Sequence, residues 1–379
     1  MDGQIFRGSV EVSAFEGHHK KACKGVNSIP AVIFSVVTFV PKGGLDRLGV
    51  SWQNNPMQND FSDSDFSTDR RSLLTAAAGI AAGGLALVSQ TAKADHHKNE
   101  EEKRFMLGLN MSTIRGQELD PDQEIEIAGK AGYEAIEPWF RKINPWVEAG
   151  GKLSDLKKRI DDHGLKVTSA IGFAAWGTSD DAKRAKGMEE ARRDMDTIAQ
   201  LGGTRIAAPP AGIAKDDPVT LDELGARYRA LLELGDEMGV TPQVEMWGGH
   251  PIIGTVEKAV YVAIASNHPK ACFLGDVYHT YKGGCSFESI KLLGPGALQT
   301  YHLNDYPADP PRETINDSHR VWPGDGIAPM NDILNNFKSV GAYPVLSLEL
   351  FNKEYWAMDA LECAKLGLEK MKAAVAAAE

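Results

Sequence analysis

From residue 104 onward the sequence alternates, eight times over, between a short apolar run rich in β-branched and aromatic residues and a longer stretch with helical periodicity. This alternation constrains the fold more than any other feature. Strands separated by helices lie parallel in one sheet, because a crossover helix carries the chain back to the starting edge. The predicted strands are 105–111, 133–137, 165–171, 205–209, 241–246, 271–276, 298–302 and 344–350. Eight such units over about 270 residues match a (β/α)8 TIM barrel, an α/β fold of typically about 250 residues. A doubly wound sheet is the competing architecture, usually with fewer strands and often with a Gly-rich phosphate loop. Neither GxGxxG nor GxxxxGK[ST] occurs here, which argues against it and against nucleotide binding.

Local signals agree with the alternation. Asp120-Pro121 precedes an acidic first turn, and Ser154 precedes the periodic run 155–160, so both read as helix starts. Gly132, Gly164, Gly202, Gly239 and Gly341 each fall between a helical run and the next strand, where a left-handed C-cap is wanted.

The segment before residue 104 is of a different kind. Residues 1–94 carry 9 Lys+Arg and 8 Asp+Glu, which leaves 32 against 44 for the remainder of a chain whose net charge is -11. The acidity therefore belongs to the barrel, and an acidic barrel disfavours nucleic acid and anionic membrane surfaces as partners. Arg70-Arg71, an Ala/Gly/Leu-rich stretch to Ser89 and the small-x-small site Ala92-Lys93-Ala94 follow the plan of an export signal. The Arg pair resembles a twin-arginine signal, although Asp69 stands where Ser or Thr is usual. About 17 weakly apolar residues fall at the bottom of the membrane-spanning range, so no stable span is expected. The expected organisation is thus an N-terminal extension (1–66), a twin-arginine-type signal peptide (67–94), a linker (95–103) and a single barrel domain (104–379). Export to a bacterial periplasm by the twin-arginine machinery follows from it, with translation beginning at Met57. Beyond residue 94 the cysteines are Cys272, Cys285 and Cys363, without a CxxC, so a disulfide framework is not expected.

A TIM barrel does its chemistry at the C-terminal ends of its strands. Glu137 ends the second predicted strand, Glu245 the fifth, Asp276 the sixth and His302 the seventh, and Glu349 closes the eighth. Singly, each has a structural explanation: a carboxylate paired with an arginine, a satisfied core histidine, a helix N-cap. Together, Glu245, Asp276, His302 and Glu349 place carboxylates and an imidazole on four consecutive strands facing one mouth. Crowded carboxylates repel, and one divalent cation removes the repulsion; the donor set suits Mn²⁺, Mg²⁺ or Co²⁺, with Zn²⁺ also acceptable. His279 follows Asp276 on the same loop, His250 follows Glu245, and Arg320 and Arg312 follow the seventh strand. These, with Glu137, are candidates for contacting substrate oxygens. Trp139, Phe173 and Trp176 are candidates for an apolar wall on which a sugar face stacks.

These residues resemble the xylose isomerase-like barrel superfamily of sugar phosphate isomerases and epimerases, which also contains endonuclease IV. The resemblance rests on Val244-Glu245, Leu274-Gly275-Asp276 with His279, Tyr301-His302-Leu303-Asn304-Asp305, Pro323-Gly324-Asp325-Gly326 and Leu346-Ser347-Leu348-Glu349. It implies metal ligation by Glu245, Asp276, His302 and Glu349, and substrate contact by His279. The resemblance departs where the ketose epimerases place an arginine shortly after the metal histidine, since that position is Ala308 here. Strands two and three offer Glu137 but no extra histidine, unlike the multi-zinc site of endonuclease IV. The implied activity is proton transfer through an enediolate of a keto or aldo sugar, with Glu245 and Glu349 as the acid/base pair. An exported 3-keto-sugar lyase or dehydratase uses the same chemistry to expel a leaving group. A non-catalytic sugar-binding barrel is the reading from outside enzymology. The expected partner is a small-molecule sugar, and a homo-oligomer is compatible with all three readings.

Overall fold

The computed structural model describes residues 104–378; the expected extension (1–66), export signal (67–94) and linker (95–103) lie outside the described residues. Eight strands form one sheet: β1 (Leu107–Asn110), β2 (Ala135–Glu137), β3 (Lys166–Val167), β4 (Arg205–Ala208), β5 (Thr241–Glu245), β6 (Phe273–Asp276), β7 (Leu298–Leu303) and β8 (Val345–Leu348). Every predicted strand is present. The order is β3-β2-β1-β8-β7-β6-β5-β4, and all seven neighbouring pairs are parallel. The pairing of β1 with β8 joins the first strand to the last, as a barrel requires.

The remaining seam lies between β3 and β4. There the Ala207 N–H donates to the Ala170 carbonyl at 2.9 Å. Inside the barrel, Gln243 Nε2 donates to Ser169 Oγ at 3.2 Å. The third predicted strand, 165–171, retains a regular ladder only at Lys166–Val167. Its later part stays extended, with Ile171 bridging Trp139.

The strands read as unbroken apolar runs because both faces are covered, the inner by the barrel core and the outer by helices. Leu109, Ile136, Val244, Leu274, Leu303 and Leu348 are essentially inaccessible. Each such side chain contributes about 1.5–3 kcal/mol of burial. The helices follow their capping signals. Pro121–Ala131 begins where Gln123 Oε1 accepts from the Asp120 N–H at 3.0 Å. Leu221–Met238 begins with a reciprocal Thr220–Glu223 capping box. The five cap glycines all adopt positive φ, from 65° at Gly164 to 90° at Gly132, a region costly for any residue with a Cβ. One start differs: the fourth helical segment runs Leu153–Asp162 with Lys152 as its N-cap, so Ser154 lies inside the first turn. Among the described residues no helix is long and apolar enough to cross a membrane.

One buried carboxyl makes the fold sensitive to pH. Glu124, on the inner face of Pro121–Ala131, is 2% exposed, and its Oε1 has no hydrogen-bond partner. Burial raises its pKa to about 8, with Lys142 opposing only in part. The folded chain therefore holds this proton at pH values where the unfolded chain, titrating near about 4.3, has released it. Stability on this account is greatest in acid and falls as pH rises through that interval to about 8. Glu124→Gln keeps the shape without the charge. Thermal unfolding should show the variant more stable than wild type at about pH 8, with the difference closing towards about pH 4.

Candidate active site at the strand ends

Asp276, His302 and Glu349 converge at the C-terminal mouth of the barrel. Asp276 and His302 face each other across the β6–β7 ladder, and Glu349 follows β8 directly. One donor atom from each lies within 4.8 Å of the others. His302 Nδ1 is 3.1 Å from a Glu349 oxygen and 3.6 Å from an Asp276 oxygen. Asp276 serves two roles. Its Oδ1 accepts the His279 N–H at 2.7 Å, capping the short helix Val277–Lys282, while Oδ2 faces the cluster.

The far side of His302 is fixed by Glu137. His302 Nε2 lies 3.0 Å from Glu137 Oε2, which also accepts from Ser347 Oγ and from Asn110 Nδ2, both at 2.7 Å. Glu137, expected to contact substrate, is fully buried and is not among the residues that line the cavity; its Oε2 is taken up by His302, Ser347 and Asn110. Burial alone pushes the Glu137 carboxyl up, but the imidazole and the surrounding donors bring it below the usual range. Burial likewise pulls His302 down, and Glu349, Glu137 and Asp276 together hold it well above its ordinary value.

Arg320, a candidate for contacting substrate oxygens, is 1% exposed at the centre of the cluster. Its Nη1 donates to Asp276 Oδ2 and Glu349 Oε2, both at 2.9 Å. Its Nη2 contacts His279 Nε2 at 3.0 Å and Asp317 Oδ1 at 2.5 Å. Burial opposes the charge on Arg320, but Asp276, Asp317 and Glu349 raise its pKa further. Burial pushes Asp276 up, and Arg320, His279 and His302 bring it far below the usual carboxylate range. The loop that presents Arg320 is pinned by buried Asp305, whose carboxylate accepts from the Tyr306, Gly324 and Ala328 N–H groups at 2.7, 3.0 and 2.9 Å. Gly326 sits so close that a Cβ there would lie 2.3 Å from Asp305 Oδ1. The Pro323-Gly324-Asp325-Gly326 motif is thereby explained as a turn wrapped around one carboxylate.

The cluster opens into a cavity of about 660 Å³, within the range of small-molecule sites. Of the cluster, Glu349 lines it, together with Glu245, His279 and Arg320, while Asp276 and His302 lie behind the wall. Glu245 stands outside the three-residue cluster, so the structure groups three of the four expected metal donors. The Arg320 guanidinium bonds Asp276, Glu349 and Asp317, and makes no bond to Glu245. Burial raises the Glu245 carboxyl; His302 opposes this, while Glu349, Asp276 and Glu137 add to it. His250 also lines the cavity, but its Nδ1 accepts from the Ile252 and Ile253 N–H groups at 3.2 and 3.1 Å. It organises its loop and is not free to bind substrate with that nitrogen. Arg312 lies off the cavity, beside Glu313 on the exposed part of the 306–322 segment. Trp139 and Phe173 are in the wall as expected; Trp176 is buried against Tyr228 and donates to the Pro209 carbonyl at 2.7 Å instead. Sequence reasoning missed Asn110, Ser347, Arg115, Arg141 and Asp317. Asn110 ends β1, so the strand-end rule reaches it once amides are admitted. The others carry no signal along the chain.

The donor set fits a divalent cation. His302 Nδ1 is buried and makes no hydrogen bond, although it points between two carboxylates. An imidazole held by its other nitrogen to a carboxylate, with two further carboxylates beyond it, is a familiar arrangement for a metal ligand.

Comparison with known proteins agrees with this fold. A family profile described as xylose isomerase-like TIM barrel matches residues 125–372. An inosose isomerase of Bacillus velezensis is 27% identical over 259 residues, covering 67% of this chain and 91% of that protein. Its counterpart in Bacillus subtilis is 26% identical and covers 63% and 87%. Among solved structures, the IolI protein with a bound zinc atom superposes with a TM-score of 0.67 at 23% identity, covering 73% of this chain and 99% of that one. An L-ribulose 3-epimerase gives a TM-score of 0.59 at 18% identity, covering 72% and 95%.

The role of Glu137 beneath His302 is open to a direct measurement. Glu137→Gln should weaken Mn²⁺ binding by about 10–100-fold in calorimetric titration, as loss of a partner behind a metal ligand does. Circular dichroism of the variant should remain that of the wild type. Unchanged Mn²⁺ affinity would show that Glu137 only fills space.

Proposed function

The chain belongs to the xylose isomerase-like TIM barrel family, and from that premise we propose that it is a metal-dependent isomerase or epimerase of a keto or aldo sugar. The observation that carries this reading is the convergence of Asp276, His302 and Glu349, with the unbonded His302 Nδ1 between the two carboxylates, beside a cavity that Glu349 and Glu245 line. The inosose isomerases among its relatives support a keto polyol as the substrate class.

Asp276, His302 and Glu349 would hold the cation, with Glu245 near them. When bound there, a divalent ion would supply Lewis acidity to a substrate carbonyl and so acidify the neighbouring C–H. Glu245 is the residue best placed to take that proton. Its carboxyl is buried among other carboxylates, which raises its proton affinity towards the range where a general base works. Glu349 is more constrained, with Oε1 held by Asn110 at 3.1 Å and Oε2 by Arg320. It is assigned the return of the proton, to the opposite face in an epimerase or to the neighbouring carbon in an isomerase. His279 and Arg320, both in the cavity wall, are assigned to orient substrate oxygens. The wall of Trp139, Phe173, Trp247 and Phe351 excludes water and accepts the apolar face of a sugar ring. The twin-arginine-type segment around Arg70-Arg71 supports the periplasm as the proposed location of this activity.

The test is incubation of Mn²⁺-loaded protein with a panel of keto polyols, including an inosose, in D₂O, followed by NMR. Deuterium should enter at the carbon beside the carbonyl as an isomeric product accumulates. Glu245→Gln and Glu349→Gln should each lower turnover by about 10²–10⁴-fold. Release of water or an aglycone would replace this reading with the lyase, absence of any exchange would replace it with the binding barrel, and near-normal turnover of both variants would overturn the assigned pair.

A further inference from the structure

The cavity wall carries two guanidiniums that the proposed reaction does not use. Arg115 lies within a cage of aromatic rings, 4.8 Å from the Trp356 centroid, 5.2 Å from Phe351 and 5.6 Å from Trp139. Arg141 lies 4.1 Å from the Trp139 ring and 5.0 Å from Phe173. Both line the same cavity as Glu245 and Glu349, and Lys353 adds a third cation to that wall.

Among the described residues neither side chain has an ion-pair or hydrogen-bond partner. The carboxylates whose charge reaches Arg115, Glu349 and Asp317, are both already bonded to Arg320. Burial lowers both arginines, and Arg115 lowers Arg141 further, as expected of like charges set close together. Two unpaired guanidiniums on one cavity wall, Arg115 half-buried and Arg141 exposed, repel each other and are both stabilised by an anion that joins them. Stacking occupies only the faces of a guanidinium and leaves its in-plane N–H fork free for a planar or tetrahedral oxyanion.

Their distance from the chemistry is set by two side chains. The Trp139 indole, on which both arginines rest, donates to Asn110 Oδ1 at 2.6 Å, and Asn110 Nδ2 donates to Glu349 Oε1 at 3.1 Å. The cations are therefore one aromatic layer and one amide removed from Glu349. Lining the same cavity as Glu245 and Glu349, they can receive the far end of a molecule whose reacting end lies at those carboxylates.

We propose that the physiological substrate carries an anionic group, a carboxylate or a phosphate ester, at the end remote from its carbonyl, and that Arg115 and Arg141 receive that group. This rests on the isomerase or epimerase reading for the identity of the reacting end. It separates the chain's substrate from a neutral polyol.

Three probes test it on the Mn²⁺-loaded protein by isothermal titration calorimetry: D-fructose, D-fructose 6-phosphate and D-fructuronate, the last two bearing the anion far from the carbonyl. At least one anionic probe should bind about tenfold or more tightly than fructose, the gain expected for a charge-assisted hydrogen bond. The preferred probe identifies the group as phosphate or carboxylate. Raising the salt concentration should erode that preference. Arg141→Gln, at an exposed position that tolerates change, should bring the ratio of the two affinities towards one. Arg115→Gln should do the same, and Arg115→Lys should restore part of it. Equal affinities for all three probes in the wild type, or a preference that survives both glutamine variants, would overturn the proposal. Proton exchange in D₂O, read on the same samples, keeps the two questions apart. Exchange without anionic preference removes only the anion site, and preference without exchange removes only the isomerase reading.

Discussion

Charge compensation at the barrel mouth is the constraint on which the rest of the structure depends. Glu137, Glu245, Asp276 and Glu349 are each no more than 5% exposed and gather around one imidazole. Carboxylates taken out of water in such company are costly unless positive charge reaches them. His302 supplies part of it between Glu137 and Glu349, and Arg320 supplies the rest between Asp276, Glu349 and Asp317. A cation held by Asp276, His302 and Glu349 would act on the same imbalance.

Much of the scaffold is legible as support for that arrangement. Barrel closure sets Asp276 opposite His302 and His302 opposite Ser347, so donors far apart in sequence share one level. The carboxylate of Asp276 divides its oxygens between a helix cap and the cluster, which ties the β6 loop to the chemistry. Asp305, seated one strand away, gathers three backbone N–H groups and so holds the turn that delivers Arg320. Removing any of these would disturb the charge balance before it disturbed the core. Conversely, Arg115 and Arg141 stand outside the balance, and for that reason they point to the ligand rather than to the fold.

The alternation of strand and helix was legible because each element buries a recognisable face; all eight strands and the five glycine turns follow from it. The strand-end rule found Asp276, His302, Glu245 and Glu349, since a polar residue closing an apolar run is conspicuous in one dimension. It could not tell depth. Glu137 also ends a strand, yet its carboxylate is taken up by His302, Ser347 and Asn110 and does not line the cavity. Arg320 and Arg312 looked equivalent along the chain, and only the Asp305-centred turn separates a buried counter-ion from a surface side chain. Ser347 and Arg115 had no signal at all: a serine inside an apolar strand and an arginine in a 3₁₀ turn acquire meaning only through neighbours brought from the other end of the sequence.

The central claim is that Asp276, His302 and Glu349 form one cation site with Arg320 as its counter-ion neighbour. The most direct measurement is a crystal structure of the Mn²⁺-loaded protein with anomalous scattering data. The account predicts a single strong anomalous peak bounded by His302 Nδ1 and the facing oxygens of Asp276 and Glu349. A protein that binds Mn²⁺ elsewhere, or keeps Arg320 on both carboxylates with no peak between them, would contradict it.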